Sequence, residues 1–156
     1  MKKLIWLACL VGLSACQTAE NTVESMATLS SAQATQALFG TWQLRHYADG
    51  KKINYAITLE ISAEKNEQGH HQLSGKAPVN FYFAQAQLQE AQQSIRLQGV
   101  GSTKMAGPPE AMEQEMRYFQ RLADIRQYAV SSDQNTLVLT ISTPQTEKLT
   151  FTRVSR

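Results

Sequence analysis

Cysteine is scarce in this chain of 156 residues, and both of its cysteines, Cys9 and Cys16, lie near the N-terminus. The 140 residues after Cys16 therefore offer neither a disulfide nor a thiolate ligand for zinc. The histidines do not supply an alternative metal site. His70 and His71 are adjacent and are expected in an exposed loop, and His46 stands alone. The sequence predicts no metal site and a fold that is stabilised by its hydrophobic core.

An excess of charge of one sign is also missing. The chain has 15 basic and 13 acidic side chains. Two of the basic ones, Lys2 and Lys3, belong to a segment that we expect to be removed, which leaves the two signs equal. A neutral domain has no electrostatic footprint for nucleic acid or for an anionic membrane surface.

Sequence motifs for catalysis are lacking as well. The chain contains no G-x-S-x-G nucleophile elbow. The segment GVGST at residues 99–103 precedes Lys104 without the spacing of a phosphate-binding loop. We therefore expect a protein that is not an enzyme and that needs no cofactor.

The N-terminal segment has the pattern of a bacterial lipoprotein signal. Two lysines precede an apolar run at residues 4–13, which is shorter than the roughly 20 residues that a membrane-spanning helix needs. The small-residue sequence Leu-Ser-Ala-Cys then ends at Cys16. We expect cleavage after residue 15 and acyl chains, such as palmitate, on Cys16. Gln17 in place of aspartate favours sorting to the outer membrane, with the protein facing the periplasm.

The remaining sequence divides into a polar tether and one folded domain. Residues 16–37 carry the lipidated cysteine and a small, polar segment without apolar periodicity, which predicts a flexible tether. Residues 38–156 form the predicted domain. Its alternating apolar residues predict six to eight antiparallel strands, beginning with Trp42, Leu44 and His46 on one face. A late switch in period predicts one helix, so the fold class is α+β.

The apolar residues near the predicted helix have two interpretations. Met112, Met116 and Phe119 recur at helical spacing, and Met105, Phe81 and Phe83 are also apolar. The set is either part of the core or the lining of a site for an apolar ligand, since methionine adapts to varied shapes. The sequence Gly-Thr-Trp ending at Trp42 is similar to the G-x-W of lipocalins, although the helix precedes the last strands here.

The segment at residues 102–122 combines the turn residues Thr103, Lys104 and Met105 with the helix residues Glu115 and Phe119, and it is similar to the META domain, the family of HslJ-like heat-shock lipoproteins. The resemblance extends over residues 38–153. The departures are Val79 and Gly107, which stand where many relatives have cysteine. If those cysteines pair in relatives, both halves of the bridge are absent here. The matching residues are Trp42 in the first strand, Asn80 and Tyr82, the turn residues Ser102, Thr103, Lys104, Met105, Ala106 and Pro108, and the helix residues Met112, Glu113, Glu115, Phe119 and Leu122.

The resemblance implies a small antiparallel, barrel-like sheet with one helix, at about residues 109–124, packed across it. It implies a non-enzymatic role in the envelope stress response or in antibiotic tolerance, and we expect that role to act through a protein partner. The alternative is a carrier or chaperone for an apolar ligand or lipid in a half-open barrel. Asn80 and Glu115 are structural or binding residues, and the sequence leaves both roles open.

Overall fold

The protein is a closed barrel of eight antiparallel strands, as described by a computed structural model of residues 29–142 and 146–154. Each strand pairs with the next along the chain, and β8 pairs with β1. The α+β, barrel-like fold class is therefore confirmed. The strands are β1 (Gly40–Tyr47), β2 (Thr58–Lys65), β3 (His71–Lys76), β4 (Phe81–Gln89), β5 (Ser94–Ser102), β6 (Ile125–Val130), β7 (Thr136–Ser142) and β8 (Thr146–Arg153).

Two α-helices, and a 3₁₀ turn at Glu90–Gln92, accompany the barrel within the described residues. Helix α1 (Ser31–Leu38) precedes β1, and helix α2 (Pro109–Leu122) lies between β5 and β6. The predicted helix thus begins at the expected residue and ends two residues early. None of the helices in the described ranges is both long and apolar enough to span a membrane. The predicted signal peptide, Cys16 and most of the predicted tether lie outside the described residues.

Side chains that alternate inward along the strands fill the barrel. Trp42, Leu59, Leu73, Ile95 and Leu139 are each fully buried, as period-2 strands with one apolar face require. Three tyrosines and a phenylalanine occupy the interior beside them. These large aromatic side chains are Tyr82, Tyr118, Tyr128 and Phe151.

A bulge in β1 overturns the expectation for His46. The pairing of β1 with β8 shifts register between Leu44 and His46. A bulge inserts one residue, so every side chain beyond it changes face. His46 is consequently exposed, and Tyr47 is buried in its place. The prediction that His46 shares the buried face of Trp42 was wrong.

Helix α1 closes one end of the barrel and corrects the predicted tether. Residues 31–37 were expected to be flexible, but they are helical. A reciprocal capping box at Ser30 and Gln33 starts the helix, and its alanines favour helix formation. Thr35 then contacts Tyr128 through a hydroxyl pair at 2.6 Å. Tertiary contacts of this kind stabilise a short helix that sequence periodicity does not reveal.

Arg153 joins α1 to the barrel. Its guanidinium donates to the carbonyls of Ala37, in the last turn of the helix, and of Phe39, directly after it, and lies 4.1 Å from the centre of the Trp42 ring. The Trp42 indole donates to the Leu38 carbonyl at 2.8 Å. The tryptophan of the Gly-Thr-Trp sequence therefore lies at the closed, α1 end of the barrel.

The strand pairing that closes the barrel is shortest between β5 and β6. Among the described residues, Ser94 is the only residue of β5 in register with β6, opposite Gln127. The rest of β5 pairs with β4 alone. The chain leaves β5 after Ser102 and passes into α2, so within residues 29–142 and 146–154 the edge of β5 opposite β4 has no partner strand beyond Ser94.

Candidate functional site

Helix α2 buries a different face from the one that its methionines predict. Its buried residues are Ala111, Gln114, Glu115, Tyr118 and Leu122, which fall on one side at spacings of three and four. Met112 and Met116, by contrast, are 43% and 56% exposed. Of the two interpretations of the methionines, burial in the core is therefore wrong for Met112 and Met116, because two buried polar residues occupy part of the side that faces the barrel.

Glu115 and Asn80 form the first of these polar attachments, which we call the Asn80–Glu115 network. One carboxylate oxygen of Glu115 accepts from the backbone N–H groups of Val79 and Asn80 at 2.9 and 2.8 Å. The other accepts from Asn80 Nδ2 at 2.6 Å. Both residues are buried, and a buried carboxylate is tolerated when its oxygens are satisfied in this way. The network fixes α2 to the turn between β3 and β4.

The same asparagine also fixes the segment between β5 and α2. Asn80 Oδ1 accepts from Thr103 Oγ1 at 2.8 Å and from the backbone N–H of Met105 at 2.7 Å. The Thr103 hydroxyl accepts from the Phe81 backbone N–H at 3.2 Å. Asn80 thus binds two segments that are far apart in sequence. Of the family-motif residues, Asn80, Thr103, Met105 and Glu115 are brought together here, whereas Ser102, Lys104 and Pro108 are exposed beside them.

Gln114 makes a second attachment that the sequence analysis missed. Its side-chain oxygen accepts from the backbone N–H groups of Asn54 and Tyr55 at 2.8 and 3.2 Å, and its amide nitrogen donates to the Tyr55 carbonyl at 2.6 Å. A glutamine between two glutamates reads as part of a solvated face. Only tertiary contact with the segment before β2 reveals its role.

Two tyrosine hydroxyls anchor the centre of α2 inside the barrel. Tyr118 and Tyr82 share a hydrogen bond at 2.7 Å, and Tyr82 donates to the Thr58 carbonyl at 2.8 Å. Burial raises the pKa of both phenols above the ordinary value of 10.0. Tyr82 is the family-motif residue that meets α2 from the barrel side.

Arg121 ties the end of α2 to two other parts of the fold. Its guanidinium forms ion pairs with Asp49 at 3.1 Å and Glu147 at 2.8 Å, and it lies 5.4 Å from the centre of the Tyr47 ring. The Arg121 side chain is 16% exposed, so this cluster is more protected from screening than an ordinary surface pair. The position of α2 is therefore fixed along its length.

Val79 and Gly107, the two departures from the family pattern, lie against each other. A Cβ atom built on Gly107 would be 2.6 Å from Val79 Cγ2 and 3.4 Å from Val79 Cβ. The valine methyl groups thus occupy the space that a side chain at position 107 would need. Val79 and Gly107 are therefore sterically matched in this chain.

An exposed apolar groove runs along the outer side of α2, and we call it the α2 groove. It measures about 550 Å³ and opens to solvent. Met105 and Phe81, on neighbouring segments, are also about half exposed. The groove is lined by Ser102, Pro109, Met112, Glu113, Glu115, Met116, Phe119 and Gln120.

The histidine pair is split between two environments. His71 was expected in an exposed loop but is buried at the start of β3, where its Nδ1 lies 2.9 Å from the Ser62 carbonyl oxygen. His70 is half-buried and lies 3.1 Å from Gln85 Oε1. Within residues 29–142 and 146–154, no three metal-ligating side chains cluster.

Comparison with known proteins identifies the fold family. The family model of the META domain matches residues 35–156. A protein from Burkholderia xenovorans, solved by NMR, has a TM-score of 0.63 at 24% identity, over 83% of this chain and 90% of its own. A crystal structure of a DUF4847 family protein from Bacteroides vulgatus has a TM-score of 0.52 at 11% identity, over 77% of this chain and 96% of its own. At these identities the two structures share the fold. No curated protein sequence gives a significant match.

Proposed function

This chain belongs to the META domain family, and from that premise we propose that it is a non-enzymatic lipoprotein that binds a protein partner through the α2 groove. We place it in the outer membrane, anchored by acyl chains on Cys16 and facing the periplasm. Its role, on this proposal, is in the envelope stress response or in antibiotic tolerance. The observation that carries the proposal is the exposure of Met112 and Met116 on a helix that is otherwise fixed to the barrel.

Three methionines on or beside α2 expose their apolar side chains to solvent. Met105, Met112 and Met116 are each more than two-fifths exposed. Flexible, polarisable methionine side chains are common at surfaces that bind other proteins, and clusters of exposed apolar residues mark interaction sites. The half-buried Phe119 lies in the same groove and supplies an aromatic anchor of the kind enriched at interface centres.

The backbone beside the groove favours an extended partner segment. Ser102, at the end of β5, lines the groove, and the edge of β5 opposite β4 has no partner strand beyond Ser94 among the described residues. An open strand edge presents unpaired N–H and C=O groups that an added strand can use. We therefore propose an extended, apolar segment that pairs with β5 and inserts a side chain between Met112 and Met116.

The interior of the barrel gives less support to the alternative function, a carrier for an apolar ligand or lipid. Trp42, Tyr82, Tyr118 and Phe151 are fully buried inside the barrel, where a carried lipid would need space. Two grooves among the described residues, of about 720 and 550 Å³, both open to solvent on the outside of the barrel. An acyl chain bound there would remain largely exposed to water, which is unfavourable at about 25 cal/mol per Å² of apolar surface.

The proposal is tested by site-specific cross-linking in cells. A photo-cross-linking amino acid at Met116 should capture a discrete protein, whereas the same group at Gln68, in the exposed β2–β3 hairpin, should not. The variant Met116→Glu should lose the partner and fail to restore survival of a deletion strain under heat or antibiotic challenge. Gln68→Glu is the matched control for adding charge.

Two results would contradict the proposal. If Met116→Glu restored survival as well as the natural protein does, the α2 groove would have no part in the function. If Cys16→Ser, which removes the acylation site, left the protein membrane-bound, the proposed anchor would be wrong. Circular dichroism of Met116→Glu checks that the barrel remains folded, as an exposed substitution should allow.

A further inference from the structure

A second groove, distant from α2, lies on the outside of strands β2 to β5, and we call it the hairpin groove. Its volume is about 720 Å³, and it is about equally polar and apolar. The register shifts of β2 on β3 and of β4 on β5 both lie beside it. Bulges bend a sheet and redirect its side chains, often next to binding sites. The groove is lined by Ser62, Glu64, Lys65, Asn66, His70, Gln72, Phe83, Ala84, Gln85, Gln98 and Gly99.

Three glutamines form a row across this groove. Gln72 on β3 is in register with Gln85 on β4, and Gln85 is in register with Gln98 on β5. All three side chains are exposed on the outer face. Neighbouring strands are about 4.8 Å apart, so the row presents three primary amides at that interval. Each amide offers two N–H donors and one carbonyl acceptor, and the row therefore suits a ligand with many groups that both donate and accept.

An exposed aromatic ring lies beside the glutamine row. Phe83 is 55% exposed and precedes Gln85 by two residues, so both side chains are on the outer face of β4. Gly101, opposite Phe83, lets the ring lie against the sheet. A Cβ atom at position 101 would be 2.6 Å from the ring. The phenylalanine thus provides a flat apolar platform, and the absence of a side chain at Gly101 leaves the space in which the ring lies.

The charges of the hairpin groove argue against an ionic ligand. Glu64 and Lys65 contribute one charge of each sign. His70 lies within hydrogen-bond distance of Gln85, at 3.1 Å, and Asn66 holds the hairpin by accepting from the backbone N–H groups of Gln68 and His70. A site for phosphate would need a cationic excess, and a site for a lipid chain would need a continuous apolar lining.

We propose that the hairpin groove binds a neutral oligosaccharide. A sugar ring has an apolar face of C–H groups, which matches the electron-rich face of Phe83, and hydroxyl groups around its edge, which match the glutamine amides. Acetamido substituents suit the same row, because their N–H and C=O groups point in opposite directions and can bond two neighbouring glutamine amides. The site is separate from the α2 groove, and the two proposals stand or fall independently.

The probe for this site is chitotriose, the neutral trimer of N-acetylglucosamine. Isothermal titration and NMR shift mapping of the full-length protein, in a detergent without a sugar headgroup, should give saturable binding in the micromolar-to-millimolar range. The shifts should centre on residues 72, 83, 85 and 98. Phe83→Ala should weaken binding at least tenfold. Phe81→Ala is the matched control, since Phe81 is equally exposed on the same strand but lies outside the groove.

A second pair of variants tests the amide row without removing the aromatic ring. Gln85→Leu keeps a similar volume and removes the donors and acceptor, and it should also weaken binding at least tenfold. Gln87→Leu, two residues further along the same exposed face, should leave it unchanged. No saturable binding of chitotriose, equal weakening by Phe81→Ala, or tighter binding of inorganic phosphate in the same groove would each overturn the proposal.

Discussion

Introducing cysteine at positions 79 and 107 together should produce a disulfide and stabilise the barrel. A Cβ atom built on Gly107 would lie 3.4 Å from the Cβ of Val79, just below the roughly 3.5–4.5 Å that disulfides span, so a small backbone shift suffices. Val79→Cys removes the γ-methyl groups that would otherwise collide with a side chain at Gly107. The double variant therefore restores the pattern that the family resemblance implies for relatives with two cysteines.

The expected gain in the free energy of unfolding follows from the length of the loop that the disulfide closes. Residues 79–107 form a loop of 29 residues, which contains β4, β5 and the start of the passage to α2. The disulfide lowers the chain entropy of the unfolded state, and for a loop of this length that raises the free energy of unfolding by about 3.6 kcal/mol. For a domain of this size, that corresponds to a rise in Tm of roughly 10 °C.

The assay compares oxidised and reduced forms of the same double variant, by thermal unfolding and by titration of free thiols. Oxidised protein should show two fewer titratable thiols than reduced protein and a higher Tm. Gly107→Cys alone should be less stable than the natural protein, because its Cβ would lie 2.6 Å from Val79 Cγ2. Failure of the bridge to form, or equal stability of the two redox forms, would refute the geometric reasoning.

Three further predictions concern buried polar groups. Glu115→Ala should lower the free energy of unfolding by about 3 kcal/mol in urea titrations, because it leaves the N–H groups of Val79 and Asn80 unpaired; Glu113→Ala, at a 71% exposed side chain, should change it little. Burial raises the pKa of Tyr47 from 10.0 to about 12. The free energy of unfolding is therefore at its full value below pH 10 and falls as the pH rises from 10 through 12, because the phenol of the unfolded chain ionises first. Tyr47→Phe should therefore reduce the loss of stability between pH 10 and 12 and have little effect at pH 7, since the hydroxyl has no hydrogen-bond partner among the described residues. Arg153→Met should destabilise the protein by about 2 kcal/mol and increase amide hydrogen exchange in α1, whose last carbonyls it would leave without their donor.

Local patterns predicted most of the barrel because its strands obey simple alternation. The strand around Leu59 and Ile61 and the final strands all have one apolar face, and periodicity alone identifies them. The bulge after Leu44 was not predictable in this way, since its cause lies in the pairing with β8. One inserted residue was enough to exchange the environments of His46 and Tyr47.

The buried face of helix α2 could not be predicted from periodicity for a different reason. Hydrophobic periodicity assumes that the buried side of a helix is the apolar side. Here Gln114 and Glu115 face the barrel and satisfy backbone donors at the ends of other segments, which leaves methionine for the solvent. The pattern therefore indicated a helix correctly and assigned its faces wrongly. The family motif contained the missing signal, because Asn80 and Glu115 are both in it.

The division of α2 into two faces separates stability from the proposed binding. Glu115 and Tyr118 make their contacts on the barrel side, and Met112 and Met116 lie on the solvent side. On the first face, a substitution of Tyr118, which does not line the α2 groove, should lower the free energy of unfolding and leave the groove lining in place. A substitution on the second should change binding without a cost in stability. Because the helix is fixed by contacts on three sides, a partner would meet a preformed groove and would lose little affinity to ordering it.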